Sequence, residues 1–149
     1  MANTDIRFET YDHIDFDTWC ALWADYMGPS AALVHESVHQ HTFSRIRHAD
    51  TGLFGVLAVT DRPVGFAHYY FHPSSYSLTD ACTLEDLYVA PAARGLGIGR
   101  ALIHEVAARA REAQAPALNW KTRATNQTAL ALYDRLATRT GFVSFRLAL

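Results

Sequence analysis

Large apolar side chains recur along the chain at two spacings, and each spacing predicts an element. Residues 6–10 (Ile-Arg-Phe-Glu-Thr) alternate in character and predict a short strand. After Asp15, an N-cap, Trp19, Leu22, Trp23 and Tyr26 stand at offsets of 0, 3, 4 and 7, so four large side chains share one helical face. Gly28-Pro29 stops that helix, and Ser30 is the expected cap of a second one running to about His48. Residues 53–60 and 64–71 are rich in β-branched and aromatic residues and flank Asp61-Arg62-Pro63, which predicts an antiparallel hairpin. A polar loop leads to a third long strand, 82–89. Residues 98–113 present Ala101, Leu102, Val106 and Ala110 at helical spacing. A short buried strand at 117–121, a helix at 126–137 and a last strand at 142–147 complete the pattern. The sum is a mixed α/β chain: antiparallel strands first, then a strand–helix–strand crossover, then helix and strand.

Composition narrows the partners. The 149 residues suit one domain, 1–149, and half of them are hydrophobic, enough for a substantial core. Thirteen basic against fifteen acidic side chains leave a net charge of −2, which disfavours a nucleic-acid partner. No apolar run approaches the 18 residues of a membrane span, and the N-terminus lacks the pattern of a signal peptide, so no membrane role is expected. Two cysteines, Cys20 and Cys82, make no disulfide framework and point to a reducing cytoplasm.

The most informative stretch follows the third long strand. Leu87, Tyr88 and Val89 run through Ala90-Pro91 into Arg94-Gly95-Leu96-Gly97-Ile98-Gly99-Arg100, where three glycines alternate just before a helix begins. Glycine lets the backbone adopt positive φ and lets a ligand approach closely. A helix start adds free N–H donors and the positive end of its dipole. Together they make a phosphate or pyrophosphate site, with Arg94 and Arg100 adding charge. A mononucleotide P-loop would require Lys-Ser/Thr where Arg100-Ala101 stands. The dinucleotide fingerprint would require G-x-G-x-x-G and an acid about 20 residues on, where Asn119 stands. Both fit poorly.

Arg94-x-x-Gly97-x-Gly99 after Val89-Ala90-Pro91 resembles the acetyl-CoA signature of the GCN5-related N-acetyltransferases (GNAT). Asn126-x-x-Ala129-x-x-Leu132-Tyr133, with Gly141-Phe142 beyond, resembles that family's second motif. The likeness spans the whole order of elements. Residues 65–71 and 84–89 look closer still to the diamine (spermidine/spermine-type) branch. The stretch 134–140 is longer than is usual in the family, which resembles a subgroup acetylating histones, polyamines or free amino acids. The resemblance implies a GNAT fold, with splayed strands 82–89 and 117–121 holding the pantetheine arm and residues 94–100 the pyrophosphate of acetyl-CoA. It adds a bond from Asn126 to that arm, beside its plain reading as a helix cap, and a possible homodimer.

Acetyl transfer to an amine sets two chemical demands. A lysine-like amine is only about one part in two thousand neutral at pH 7, so a base must free its lone pair. Glu85, on the strand leading to the glycine turn, is the best candidate, directly or through a water. The resemblance supports it and makes Tyr133 the general acid for the leaving thiolate. Backbone N–H around Leu87 or Tyr88 would meet the oxyanion. Asp80, Glu85 and Asp86 make the acceptor side negative, which suits a small cationic amine such as a polyamine or an amino acid. Asp86 and His68 are expected to face that acceptor. A protein lysine or N-terminus is the alternative acceptor, and a non-catalytic coenzyme A sensor the alternative role. Cys82 suggests an acetyl-cysteine route, but ordinary alternation puts it on the opposite face from Glu85, so direct attack in a ternary complex is favoured.

Eight histidines include a literal H-E-x-x-H, His35-Glu36-Ser37-Val38-His39, on a predicted helix. His41 is poorly phased to join it as a third ligand. His68 and His72 share a strand face but stand about 13 Å apart. No metal is expected.

Overall fold

The computed structural model describes residues 5–49 and 51–149. One five-stranded sheet organises them: β1 (Arg7–Glu9), β2 (Leu53–Val59), β3 (Pro63–His72), β4 (Ala81–Val89) and β5 (Leu118–Asn119), in that spatial order. The first four pair antiparallel and β4–β5 is parallel, so the sheet is mixed as expected. Helices α1 (Phe16–Met27) and α2 (Glu36–His48) cover one face. Helix α3 (Ile98–Glu112) covers the other, joined near its N-terminal end by α4 (Gln127–Tyr133). No helix among the described residues is long and apolar enough to cross a membrane.

The two faces differ in chemistry. Against α3 lie Val56, Ala58, Val64, Ala67, Tyr69, Cys82 and Leu84, a mainly aliphatic layer with Phe54 and Phe71 at its margin, into which α3 sets Leu102, Ile103 and Val106. Against α1 and α2 lie Tyr11, Trp19, Phe43, Phe66 and Tyr88, with Trp23 at the margin. Helix α1 starts where its cap predicts, because the Asp15 carboxylate accepts from the Thr18 backbone N–H at 2.8 Å and its hydroxyl at 2.9 Å.

Three expectations are corrected. Ser30 does not cap the second helix: residues 28–33 form a 3₁₀ segment, and α2 begins after His35, whose ring accepts from the Ser37 backbone N–H. The fifth strand shrinks from 117–121 to two residues. The last strand, 142–147, does not form: residues 138–149 have no regular structure, and Phe142 and Phe145 are 91% and 92% exposed. Alternation makes a segment fit for a sheet, but a strand also needs a ladder, and among the described residues this tail pairs with no strand.

Two irregularities in β4 position the site. Only Cys82 and Thr83 pair with β5, so from Leu84 onward that side of β4 has no neighbouring strand. The β3–β4 register shifts as well: His68 opposes Asp86 and Tyr69 opposes Leu84, leaving Glu85 as an extra, bulged residue. The bulge resets the alternation. Leu84 and Leu87 both pack toward α3, while Asp86 and Tyr88 turn toward α1.

Candidate active site

The site is built around the opening between β4 and β5. Where β4 ends, a 3₁₀ turn (Pro91–Ala93) leads through Gly95 and Gly97, both at φ +79°, into α3. Gly97 occupies the cap position itself with a left-handed backbone, so no side chain covers the first N–H groups of α3. At Gly99 a Cβ would meet only ordinary contacts, Leu132 at 3.6 Å and Val89 at 3.8 Å. The fold has room for alanine there, so its own packing does not require the glycine. Arg94 folds back, its Nε donating to the Val89 carbonyl at 2.9 Å while the guanidinium lies 5.9 Å from the Tyr88 ring. It braces the turn against the end of β4 and keeps a positive charge there. Arg100 is exposed and meets His104. Free N–H donors, positive φ and two arginines fit a diphosphate, and the unpaired stretch of β4 fits an extended amide-bearing arm.

The predicted catalytic side chains stand on different elements, Glu85 on β4 and Tyr133 on α4, and each raises the phenol of Tyr26. Glu85 sits on the bulge, exposed, and no cation pairs with it among the described residues. Tyr133, at the end of α4, is half-buried with its ring edge against Trp120 at 5.5 Å. Burial pushes its phenol above the ordinary range, so it holds its proton throughout neutral pH. Between them lies Tyr26, which the sequence presented only as one of four aromatic and aliphatic side chains on α1. Its hydroxyl donates to Asp86 Oδ1 at 2.8 Å. Burial, the Asp86 carboxylate, and then Glu85 and Tyr133 all drive the Tyr26 phenol well above its usual range. Groups from α1, β4 and α4 thus share one electrostatic neighbourhood.

Asp86 and His68 also meet: His68 Nδ1 lies 2.9 Å from Asp86 Oδ2, with the imidazole fully buried and the carboxylate partly exposed. Asn126 caps α4, its Oδ1 accepting from the Ala129 backbone N–H at 3.2 Å. Cys82 is buried in the aliphatic layer and its thiol is pushed up to about 11 by that burial. It is an inert core thiol. Ordinary alternation does not hold between Cys82 and Glu85, because the bulge intervenes, yet the two remain apart: one buried toward α3, the other exposed. The H-E-x-x-H pattern dissolves into structure: His35 is the cap of α2, outside the helix, and His39 Nδ1 accepts from Trp23 Nε1 at 3.0 Å. Among the described residues no cluster of three metal-ligating side chains forms. Sequence reasoning missed Tyr26, Trp120 and Tyr11. A hint for Tyr26 was available in its position at the end of an aromatic stripe, beside the helix stop.

The fold is that of an acetyltransferase of the GNAT type. Residues 12–137 match the Acetyltransferase (GNAT) family, and the chain belongs to it. It is 34% identical over 149 residues to the D-amino-acid N-acetyltransferase HPA3 of Saccharomyces cerevisiae, covering 98% of this chain and 92% of that one. Among solved structures it superposes on a transcriptional regulator from Bacillus halodurans (TM-score 0.83, 20% identity, 97% of this chain and 100% of that one). It also superposes on the aminoglycoside N-acetyltransferase AAC(6')-Iy in complex with CoA (TM-score 0.79, 21% identity, 97% and 93%). The protein is an N-acetyltransferase. The comparisons reach the family and stop short of its diamine branch.

Proposed function

We propose that the enzyme moves the acetyl group of acetyl-CoA to the primary amine of a small cationic acceptor, an amino acid or a polyamine, by direct attack in a ternary complex. The observation that carries this reading is the convergence of Glu85, Asp86, Tyr26 and Tyr133 beside the open edge of β4. Acetyl-CoA supplies an activated thioester acyl group. Residues 94–100 and the N-terminal end of α3 would hold its diphosphate, Asn126 its arm, and the free edge of Leu87, Tyr88 and Val89 the amides of that arm. Glu85 would take the ammonium proton at a carboxylate oxygen, and the Tyr133 hydroxyl would deliver a proton to the departing sulfur. Among the described residues no cation pairs with Glu85, which leaves its carboxylate open for this step.

An amino acid is the first acceptor to test, because the yeast relative is by name a D-amino-acid N-acetyltransferase. A polyamine fits the acidic rim equally by charge. Thiol release is expected with one of these classes and absent with lysine peptides, with intersecting initial-rate lines for two varied substrates. Parallel lines would instead mean an acetyl-enzyme and overturn direct attack. Turnover on peptides alone would move the acceptor to protein.

The reading includes a homodimer in a reducing cytoplasm, the latter suggested by two free cysteines. The dimer is supported by the tail, where Phe142, Val143, Phe145, Leu147 and Leu149 stand exposed. A second copy offers an apolar surface and a strand edge to cover them. Two such tails bring apolar area on the order of the 1,200–2,000 Å² that stable interfaces bury. Sedimentation should show a dimer that Phe142→Ser/Phe145→Ser converts to monomer, and a monomeric wild type would exclude it.

A further inference from the structure

We propose that Trp19, Tyr11 and His68 are positioning residues, a buried relay that holds the Asp86 carboxylate in a fixed orientation to receive the ammonium group of the acceptor. The inference rests on the acetyltransferase reading above and assigns work to residues outside its proton-transfer pair.

The direction of every hydrogen bond in the relay follows from its two ends. Indole Nε1–H can only donate, and Trp19 donates to the Tyr11 oxygen at 3.1 Å. The single Tyr11 proton must then go elsewhere, and the one partner in reach is His68 Nε2 at 2.7 Å. Nε2 is therefore a lone pair and Nδ1 carries the hydrogen, which points at Asp86 Oδ2, 2.9 Å away. From the other side the Tyr26 hydroxyl donates to Oδ1. Each buried side-chain polar atom among the described residues finds a partner. The opposite tautomer would strand the Tyr11 proton and set an imidazole lone pair against a carboxylate. A protonated ring would strand the same proton among Phe43, Trp19 and Phe66.

The groups around His68 supply no positive charge. From β4 comes Asp86; from the turn before α1, Tyr11; from α1, the rings of Trp19 and Trp23; from β3, Phe66 stacked at 4.6 Å. From α2, His39 accepts from Trp23 at Nδ1 and meets the Ala31 carbonyl through Nε2. Burial drives the Tyr11 phenol far above its usual range, so it stays a donor. Asp86 therefore has two donors and, among the described residues, no arginine or lysine partner, unlike Asp134 with Arg139 or Glu105 with Arg109. Its orientation is fixed from behind, and the Tyr26 ring that donates to it packs against Trp23 and Tyr88. An anion set among aromatic rings selects a cation. The sheet makes room for the relay: Gly55 opposes His68, and a Cβ there would lie 2.5 Å from both the Tyr11 ring and Ile46.

The test uses wild-type protein labelled with ¹⁵N-histidine, read by long-range ¹H–¹⁵N correlation. His68 should appear with its hydrogen on Nδ1 and a lone pair at Nε2; a hydrogen on Nε2 overturns the relay. Tyr11→Phe removes the donor to Nε2 that holds the ring from behind, and should raise KM for the amine about tenfold or more, with kcat and acetyl-CoA affinity changing far less. His68→Asn keeps an N–H facing Asp86 and should recover most of the affinity that His68→Leu loses. Should His68→Leu fail to fold, Tyr11→Phe and the wild-type spectrum still decide. An unchanged amine KM in folded Tyr11→Phe overturns the proposal. A wild type that acetylates no amine sinks the acceptor reading and the relay's purpose together, whereas normal turnover with the wrong tautomer sinks the relay alone.

Discussion

The two faces of the sheet are packed on opposite principles. Toward α3 the core is aliphatic, with Leu102 and Val106 fully buried among small side chains. Toward α1 and α2 it is aromatic and threaded by a chain of hydrogen bonds from Trp19 to Tyr26. An aliphatic layer asks only for shape and tolerates local adjustment. A buried polar chain is worth having only if every member is satisfied, so it fixes directions as well as positions. The first face is a platform that sets the start of α3 and the glycine turn. The second aims side chains at the rift where β4 leaves β5. The Glu85 bulge couples them, because it turns Asp86 toward the aromatic face while keeping Leu84 and Leu87 on the aliphatic one.

Substitutions on each face should separate these roles. The largest stability effect is expected from Leu102→Ala, a loss of about 2–5 kcal/mol in urea unfolding. Its KM for the amine should not change below the melting transition; a large change would mean the aliphatic face also shapes the acceptor site. Gly99→Ala is expected to leave stability within about 1 kcal/mol, since its Cβ meets nothing closer than 3.6 Å, and to weaken coenzyme A binding about tenfold by calorimetry. Undiminished binding would place the diphosphate elsewhere. Tyr26→Phe removes one of two donors to Asp86 and should raise KM for the amine severalfold, with acetyl-CoA affinity intact. An equal loss for both substrates would deny the division between the faces.

The smallest effect concerns the cap that starts α1. The backbone N–H and hydroxyl of Thr18 hold the Asp15 carboxyl below its ordinary range. Its folded value is depressed, so the stability it adds is present above the unfolded value near 4 and is lost as pH falls through the lower folded value. The Tm advantage of wild type over Asp15→Ala should therefore shrink between about pH 4 and pH 2. A constant difference would remove the charge from the cap's role.

What could be read in the sequence follows the same division. The α1 stripe, the hairpin around Asp61-Arg62-Pro63 and the α3 spacing were legible because each reflects a period imposed by one buried face. The glycine turn was legible because backbone conformation itself demands the residue type at Gly95 and Gly97. The bulge was not, since nothing in Leu84-Glu85-Asp86 marks which residue is unpaired; only the facing register of β3 decides. Tyr11 and Tyr26 read as bulk, because a phenol looks the same in sequence whether its hydroxyl is used or idle. His35-Glu36-Ser37-Val38-His39 carries a metal motif's letters for the converse reason: one ring caps a helix and the other serves an indole. The tail carries a strand's alternation but not the neighbour that would make it one.

Calorimetric titration of coenzyme A against pantetheine tests the central claim most directly, that the N-terminal end of α3 grips a diphosphate beside the open edge of β4. One coenzyme A per chain should bind, with pantetheine, which lacks the diphosphate, at least tenfold weaker. Equal affinity for the two, or no heat from either, would contradict it.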